Sequence, residues 1–544
     1  MALSRRSHAR QRRPHPDLEP AGRAPAPGGR QDRPQGGPDG LLDPSSRRTA
    51  AISPRSRRSI PWAARVAAAG LCLAPLGRAQ EPAPAPPADD GRHPARDLAP
   101  RGFAALEPDF ELTRFAFGSC YQQAEPCPLL LELVPRGPQL YLALGDNIYG
   151  DSPDPEVLRG AYRQLAGQPE WRALAKSTRF LATWDDHDYG ANDAGREYPS
   201  GAASKALLLD FFGEPADSAR RAREGLYHSH LFGPPERRVQ VLLLDLRSFR
   251  ASLDPRREQL YPEMGDYVPH PAEREADFLG EAQWRWLEEQ LRQPARLRFV
   301  ASSTQLVVGH NGYEAWINYP AERERFFELM RRTRAEGLIV LSGDTHYAEL
   351  NVEDRAGLYP IYDLTSSALN QRWESLGPSD RRLGPGYNEA NFGWVEIRWD
   401  GPQPSVSLAV YGAAGRRAIA LEVPIAELGF VHAAELDRRA AASAPAWLGR
   451  WSSPFGDLDL SAGDGAAVLG RTPGGALELS VSGDALEGTW SEGERGGRCR
   501  FVPSRDGRFL LGVYGRGAGP LRLAWPCWRP GARGFAPLGD PAPR

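Results

Sequence analysis

Residues 139–151 read QLYLALGDNIYGD, and the reading of the whole chain starts from them. An apolar run stops at Gly145 and delivers Asp146, Asn147 and Tyr149 into a turn. Short apolar runs ended by Gly and acidic residues read as buried parallel strands whose carboxyl ends hold a site. Three more stretches repeat the design: FAFGSC (115–120), RFLATWDDHD (179–188) and LIVLSGDTHY (338–347). Each sets Cys, Asp or His just past an apolar run. Four such stretches in one chain predict a metal centre.

Around them, strand-like runs alternate with helical patterns from about Glu107 onward, which predicts an α/β architecture. Residues 154–177 and 201–213 read as helices on loops leaving the site, and RVQVLLLDLRSF (238–249) and LRFVASST (297–304) as strands. LGEAQWRWLEEQL (279–291) has helical spacing with Trp284, Leu287 and Leu291 on one face. PAERERFFELMRRTRAEG (320–337) reads as a helix with Pro320 at its first position and Gly337 at its end. After GDTHY, the segments IYDLTSSAL, FGWVEIRW, SVSLAVYG and AIALEVPI read as strands without intervening helices. Two stacked sheets flanked by helices accommodate this order.

Composition narrows the partners. A formal net charge of −2 over 544 residues carries no polyanion-binding signature, so no specific nucleic-acid partner is expected. The five cysteines form no CxxC pattern, which argues against a thiolate zinc site. Residues 1–58, rich in Arg, Pro, Gly and Ser, read as a disordered or untranslated leader. Residues 59–79, with the flank before them, carry the three-part pattern of a signal peptide: basic residues at Arg55, Arg57, Arg58 and Arg65, an apolar stretch Val66–Leu76, and small residues at Gly77 and Ala79. The Arg57-Arg58 pair resembles a twin-arginine signal. The expected location is therefore exported: periplasmic, cell-surface or secreted. The apolar stretch is too short to span a bilayer, and no stable membrane span is expected. Residues 80–106 read as a Pro/Ala-rich linker.

The candidate donors are a mixed set: oxygens of Asp146, Asp186 and Asp344, the Cys120 thiolate, the His346 imidazole and the Tyr149 phenolate. Carboxylates suit Ca, Mg or Mn, whereas thiolate, phenolate and imidazole suit a more Lewis-acidic ion such as Fe(III). Two adjacent ions sharing a carboxylate reconcile the set, and such sites clamp a phosphoryl group and activate water. His187, directly after Asp185-Asp186, is placed to protonate a leaving alcohol or orient the phosphate. Taken singly, Cys120 and Tyr149 read as packing residues; their context points to ligation. Asn192 and Asp193 either line the site or cap the next loop. Arg247 either holds phosphate or makes a structural salt bridge, and His310 is a further candidate for substrate binding.

Together, FGSC, LGDNIYGD, TWDDHDYGAND, LLLDLRSFR, LGEAQWRWLEEQL, SSTQ, WINYPAERERFF and SGDTHY, in that order from about Phe115 to Leu421, resemble the alkaline phosphatase D (PhoD-like) branch of the calcineurin-like metallophosphoesterases. The resemblance implies a four-layer αββα sandwich over 107–430, Fe(III) with a divalent ion (Ca, with Mn, Mg or Zn as alternatives), and hydrolysis of phosphate mono- or diesters by metal-bound hydroxide at a binuclear site. It implies that Cys120, Asp146, Tyr149 and His346 hold iron, that Asp146 bridges, and that Asp186 and Asp344 hold the second ion, with Asp185 an additional ligand or a supporting residue. Some members carry an N-terminal sandwich domain, for which the linker before Asp109 is too short.

The last hundred residues differ. LGRWSSPFGDLDLS, GALELSVSGDALEGTWSE and GGRCRFVPSRDGRFLLGVYG alternate short strands with Gly/Asp turns, which predicts a small all-β accessory module over 445–530. Its expected role is accessory or ligand-binding, for instance toward an extracellular ligand. Cys499 and Cys527 are candidates to pair in an exported protein. A second reading of the whole chain is a non-catalytic binding protein with a degenerate phosphoesterase core and a β ligand-binding module; a missing donor would favour it, and the six main donors are all present.

Overall fold

The computed structural model describes residues 110–261, 264–271, 274, 276–442 and 447–530. The expected leader, signal peptide and linker (1–58, 59–79 and 80–106) lie outside the described residues.

The apolar runs become strands of two sheets, forming a mixed α/β fold. The first has the order Arg417–Pro424, Ser405–Gly412, Asn391–Arg398, Arg114–Gly118, Leu140–Leu144, Arg179–Thr183. Its last three strands are mutually parallel, and the other neighbours are antiparallel. The second has the order Arg382–Tyr387, Ala348–Glu353, Ile361–Ser366, Leu338–Ser342, Leu297–Ser302, Val239–Leu243, His228–Phe232. Its four inner strands from Ile361–Ser366 to Val239–Leu243 are parallel.

Side-chain alternation along a strand explains how both faces of the first sheet are covered. Phe115, Phe117, Leu140, Leu142 and Leu144 join one buried cluster with Val241, Phe299 and Val340 of the second sheet; the Phe115 and Phe299 rings meet edge to face at 4.9 Å. Ala116, Tyr141, Ala143, Phe180 and Ala182 point the other way, into a cluster with Leu133, Tyr162, Leu165, Trp171 and Leu208 from the helices Leu129–Arg136, Pro155–Gly167, Pro169–Ala175 and Gly201–Phe211. The helix Gly280–Leu291 buries Trp284, Leu287 and Leu291, the face expected from their spacing. These and Phe326, Phe327 and Met330 of helix Pro320–Thr333 belong to the same cluster as the second sheet.

Two helical expectations change. Residues 154–177 form two helices, because Pro169 lacks the N–H that a continuous helix needs and instead opens a second one. The 320–337 helix stops at Thr333, where Arg334 turns left-handed with φ 55°. Gly337 serves the next strand: a Cβ there would lie 2.2 Å from the Arg296 carbonyl oxygen.

The C-terminal β module is present as a meander of strands Gly449–Trp451, Leu458–Ala462, Ala467–Arg471, Ala476–Ser482, Ala485–Glu492, Arg495–Pro503 and Phe509–Tyr514. Cys527–Trp528 pairs with the last of these, and Ser452 and Trp528 exchange two backbone hydrogen bonds of 2.8 and 2.9 Å, which closes the meander on itself as a barrel. Cys499 and Cys527 are buried inside it as free thiols, not as the pair expected. The barrel is docked on the sheets. Phe509 and Leu511 belong to the large cluster of the two sheets. Arg505 donates to Asp354 (2.7 Å), to the Leu358 carbonyl (2.6 Å) and to Asp437 (2.5 Å), and Arg508 pairs with Glu427 at 2.9 Å. Leu511→Ala should therefore cost about 2–5 kcal/mol within one cooperative transition, measured by denaturant unfolding; two separate transitions would show that the barrel unfolds on its own.

Candidate metal centre

The parallel strands of both sheets release their loops at their carboxyl ends, the edge where open α/β sheets bind ligands. Ser119-Cys120 follows Arg114–Gly118, Gly145-Asp146 follows Leu140–Leu144, Asp185-Asp186 follows Arg179–Thr183, Ser303 follows Leu297–Ser302, and Asp344 and His346 follow Leu338–Ser342. The chain turns sharply there. Cys120, Asp146, Asp344 and His346 all adopt positive φ (62°, 48°, 72° and 59°), a region that non-glycine residues rarely enter and that clusters at functional sites. Gly145, at φ 108°, is obligatory: a Cβ would sit 2.6 Å from the Asp185 backbone nitrogen.

Four of the predicted donors converge. The Cys120 Sγ lies 3.5 Å from Asp146 Oδ2 and 3.1 Å from Ser367 Oγ. The Tyr149 hydroxyl lies 3.4 Å from the same Asp146 oxygen and 3.3 Å from His346 Nε2. Burial pushes the Cys120 thiol up to about 12, against the lowering effect of hydrogen bonds from Ser119 and Ser367. Burial also lowers His346 to about 4, so its imidazole is neutral, the form that binds metals.

Asp146 is shared with a second group. One ligand atom each from Cys120, Asp146 and His346 lies within 4.8 Å of the others, and the same holds for Asp146, Asp186 and His187. Asp344 groups instead with Asp185 and Glu314. Burial raises Asp146 and Asp344 well above the ordinary carboxylate range, and neighbouring acids (with Cys120 beside Asp146) raise them further. Asp186 is held low although burial opposes it, by His187, Arg247 and the Asp193 N–H, which donates to Asp186 Oδ2 at 2.7 Å. His187 Nδ1 lies 2.7 Å from Asp151 Oδ1, and its ring lies 4.2 Å from that of Tyr149. Burial disfavours its charged form, but Asp186 and Asp151 outweigh burial and lift His187 to about 9.

The remaining candidates sit as follows. Arg247 has no exposed surface and makes a buried ion pair: Nε donates to Asp185 Oδ1 at 2.7 Å, and Nη2 bridges Asp185 and Glu314. Asp185 Oδ1 also accepts from Ser303 Oγ at 2.7 Å, while Oδ2 is buried with no hydrogen-bond partner among the described residues. Asn192 is exposed on the loop, and Asp193 beside it turns back to the site, its carboxylate accepting from the Tyr267 hydroxyl. His310 lies outside the donor groups, with Nε2 3.2 Å from the carbonyl oxygen of Arg522 in the C-terminal module.

Several contributors were missed in the sequence. Asp188 is buried and accepts from the Asp185 N–H (3.1 Å), the Asn147 N–H and side-chain amide (3.0 and 3.1 Å) and the Tyr162 hydroxyl (3.4 Å), so it ties the 146 and 185 loops together. It is the third acid of DDHD, and three acids in four residues were a signal that one serves structure. Glu314 lies in NGYEAW, and Ser367 carried no sequence signal. Trp373, 40 % exposed, stands 6.0 Å from the His346 ring and 5.4 Å from that of Tyr313.

The donors fit metal ions. Asp146 Oδ1 and Asp185 Oδ2 are buried and without hydrogen-bond partners among the described residues, and thiolate, imidazole and carboxylate groups meet around Asp146, donor types that bind metal ions. The family model of the PhoD-like phosphatases matches residues 115–379, a span that contains every donor described here. The domain belongs to that family, and with it to the phosphoesterase hydrolases. The PhoD structure aligns at 16 % identity and a TM-score of 0.48, over 61 % of this chain and 72 % of that one. A dimetal phosphatase from Danio rerio aligns at 13 % and 0.37, over 58 % and 99 %. GAP50, the anchor in the inner membrane complex of Plasmodium, aligns at 12 % and 0.36, over 59 % and 93 %. Likenesses this loose add nothing to the family match. No curated protein matches the sequence.

Removing Arg247 would leave the buried Asp185 without its cation and Glu314 with Arg250 alone. Arg247→Met should destabilise the protein by about 3–5 kcal/mol in denaturant unfolding, whereas Arg256→Ala, which breaks a pair whose arginine is exposed, should leave the unfolding midpoint nearly unchanged. Equal effects would refute the structural role of Arg247.

Proposed function

We propose that the protein is an exported phosphatase acting on phosphate mono- or diesters at a binuclear site. The observation that carries this is the sharing of Asp146 between the Cys120/His346 group and the Asp186/His187 group. In this reading Cys120, Asp146, Tyr149 and His346 hold Fe(III), and Asp146, Asp186 and Asp344 hold a divalent ion, calcium first, with the partnerless Asp185 Oδ2 as a further donor. Ions bound there would supply Lewis acidity toward the phosphoryl oxygens and lower the pKa of water. The core of 107–430 would be a four-layer αββα sandwich, supported by the helical cluster on one sheet and the helices packed with the other, with 445–530 as its accessory module. Export rests on the 59–79 signal pattern alone.

The residues of the chain divide the work. Asp151 engages His187 Nδ1, fixing the ring and leaving Nε2 to give a proton to the departing alcohol oxygen. Arg247 and Arg250 offset Glu314, so that a dianionic phosphoryl group does not meet the full charge of the buried acids. Trp373 beside His346, with Tyr313 against Trp373, forms an aromatic wall suited to the alcohol portion of an ester.

His187→Ala should reduce turnover of a chromogenic phosphate ester by about 10²–10⁴-fold with metal content unchanged by elemental analysis; parallel loss of both would make His187 a ligand. Tyr149→Phe should remove the visible absorption expected of a phenolate bound to Fe(III), and an unaltered spectrum would contradict ligation by Tyr149. Comparing a chromogenic monoester with the matching diester tests the substrate class: hydrolysis of neither, by protein that holds both ions, would sink the phosphatase reading.

A further inference from the structure

A cavity lies away from the metal centre. It occupies about 710 Å³ at one end of the C-terminal barrel, where the loops 452–457, 472–475, 493–494 and 515–522 emerge. The opposite end is the anchored one: its 504–508 loop carries the Arg505 and Arg508 contacts to the sheets. Barrels of about eight strands either fill their interior with side chains or hold one small ligand. Here both occur. Leu458, Leu460, Leu479, Leu486, Phe501 and Leu510 fill the interior, and the cavity opens above them.

Its walls are Phe455, Leu477, Trp490, Tyr514 and Trp525. The four rings stand nearly perpendicular to their neighbours, with centroids 5.5–6.2 Å apart and interplanar angles of 78–90°. Core packing accounts for part of this group: Leu477 and Trp525 are buried in the barrel core, and Trp490 and Tyr514 pack against it. Phe455 is 51 % exposed on a surface loop, and Trp490 and Tyr514 are only partly buried. Rings held at a cavity mouth rather than inside leave apolar area in water, which burial of an apolar molecule would remove. The volume falls within the range of small-molecule sites, which are mostly apolar with few polar groups. The charged side chains at the rim are two acids, Glu492 and Glu494, and two bases, Arg495 and Arg516. They balance, so neither an anion nor a cation gains from the rim as a whole.

We propose that this open barrel end binds one small, uncharged, mainly apolar molecule carrying a ring. The site is independent of the metal centre and of the reaction carried out there.

The test uses the full chain and N-phenyl-1-naphthylamine, a neutral aromatic probe whose fluorescence rises on leaving water. The expected result is saturable binding of one probe per chain, with quenching of tryptophan emission. Phe455→Ala should weaken it about tenfold. Thr472→Trp, which adds a ring at the cavity's rim, should fill the mouth and abolish binding. Circular dichroism unchanged in both variants would assign the losses to the site. Absence of saturable binding, or binding that both variants leave intact, would overturn the proposal. Displacement of the probe by a neutral oligosaccharide at equal concentration would overturn the assigned ligand class.

Discussion

Buried negative charge is the constraint on which the rest of this structure depends. Asp146, Asp185, Asp186, Asp344 and Glu314 are crowded where the parallel strands end, and carboxylates taken out of water repel one another strongly unless cations or hydrogen bonds compensate. Protein groups meet part of the demand. Arg247 bridges Asp185 and Glu314, Arg250 pairs with Glu314, and backbone N–H groups serve Asp186. Asp146 has the long contacts of Cys120 and Tyr149, neither of them a cation, and both Asp146 and Asp344 are pushed toward the protonated form by burial. A family of metal-dependent hydrolases explains why this imbalance is kept.

The imbalance also explains the backbone. Reaching a common point from two sheets requires tight turns, and positive φ at Cys120, Asp146, Asp344 and His346 costs about 1–3 kcal/mol at each residue. The surrounding network over-determines these turns. Asp188 holds the 146 and 185 loops in register, and Ser367 accepts from the His346 N–H at 3.0 Å while touching the Cys120 sulfur. The sheets beneath supply rigidity, because the parallel strands that carry the loops are buried on both faces.

The barrel answers to a different physics. Its interior is filled by a hydrophobic core that reaches Trp525 at the open end, its other end is anchored by arginine–carboxylate pairs, and Phe455 at the mouth belongs to neither. Two chemistries therefore coexist in one chain: a charged centre at the sheet edges, and an apolar mouth on the appended barrel.

The sequence by itself determined the strands, their turn-ending residues and the chemical character of the donors. Those are local properties: an apolar run of five residues followed by Gly and Asp reads the same in any context, and FGSC, GDNIY, DDHD and GDTHY kept their order and their role as loops leaving strands. The all-β character of the C-terminal module was equally local, written in its Gly/Asp turns. Only the tertiary structure decided which acids would be compensated. Arg247 and Glu314 lie 67 residues apart in the chain, and nothing in either segment announces the other. The same distance hid the contact of Ser367 with Cys120, 247 residues away. It also hid the closure of the barrel through Ser452 and Trp528. Periodicity and turn chemistry act over a few residues, whereas charge compensation and closure depend on which surfaces meet after the chain has folded.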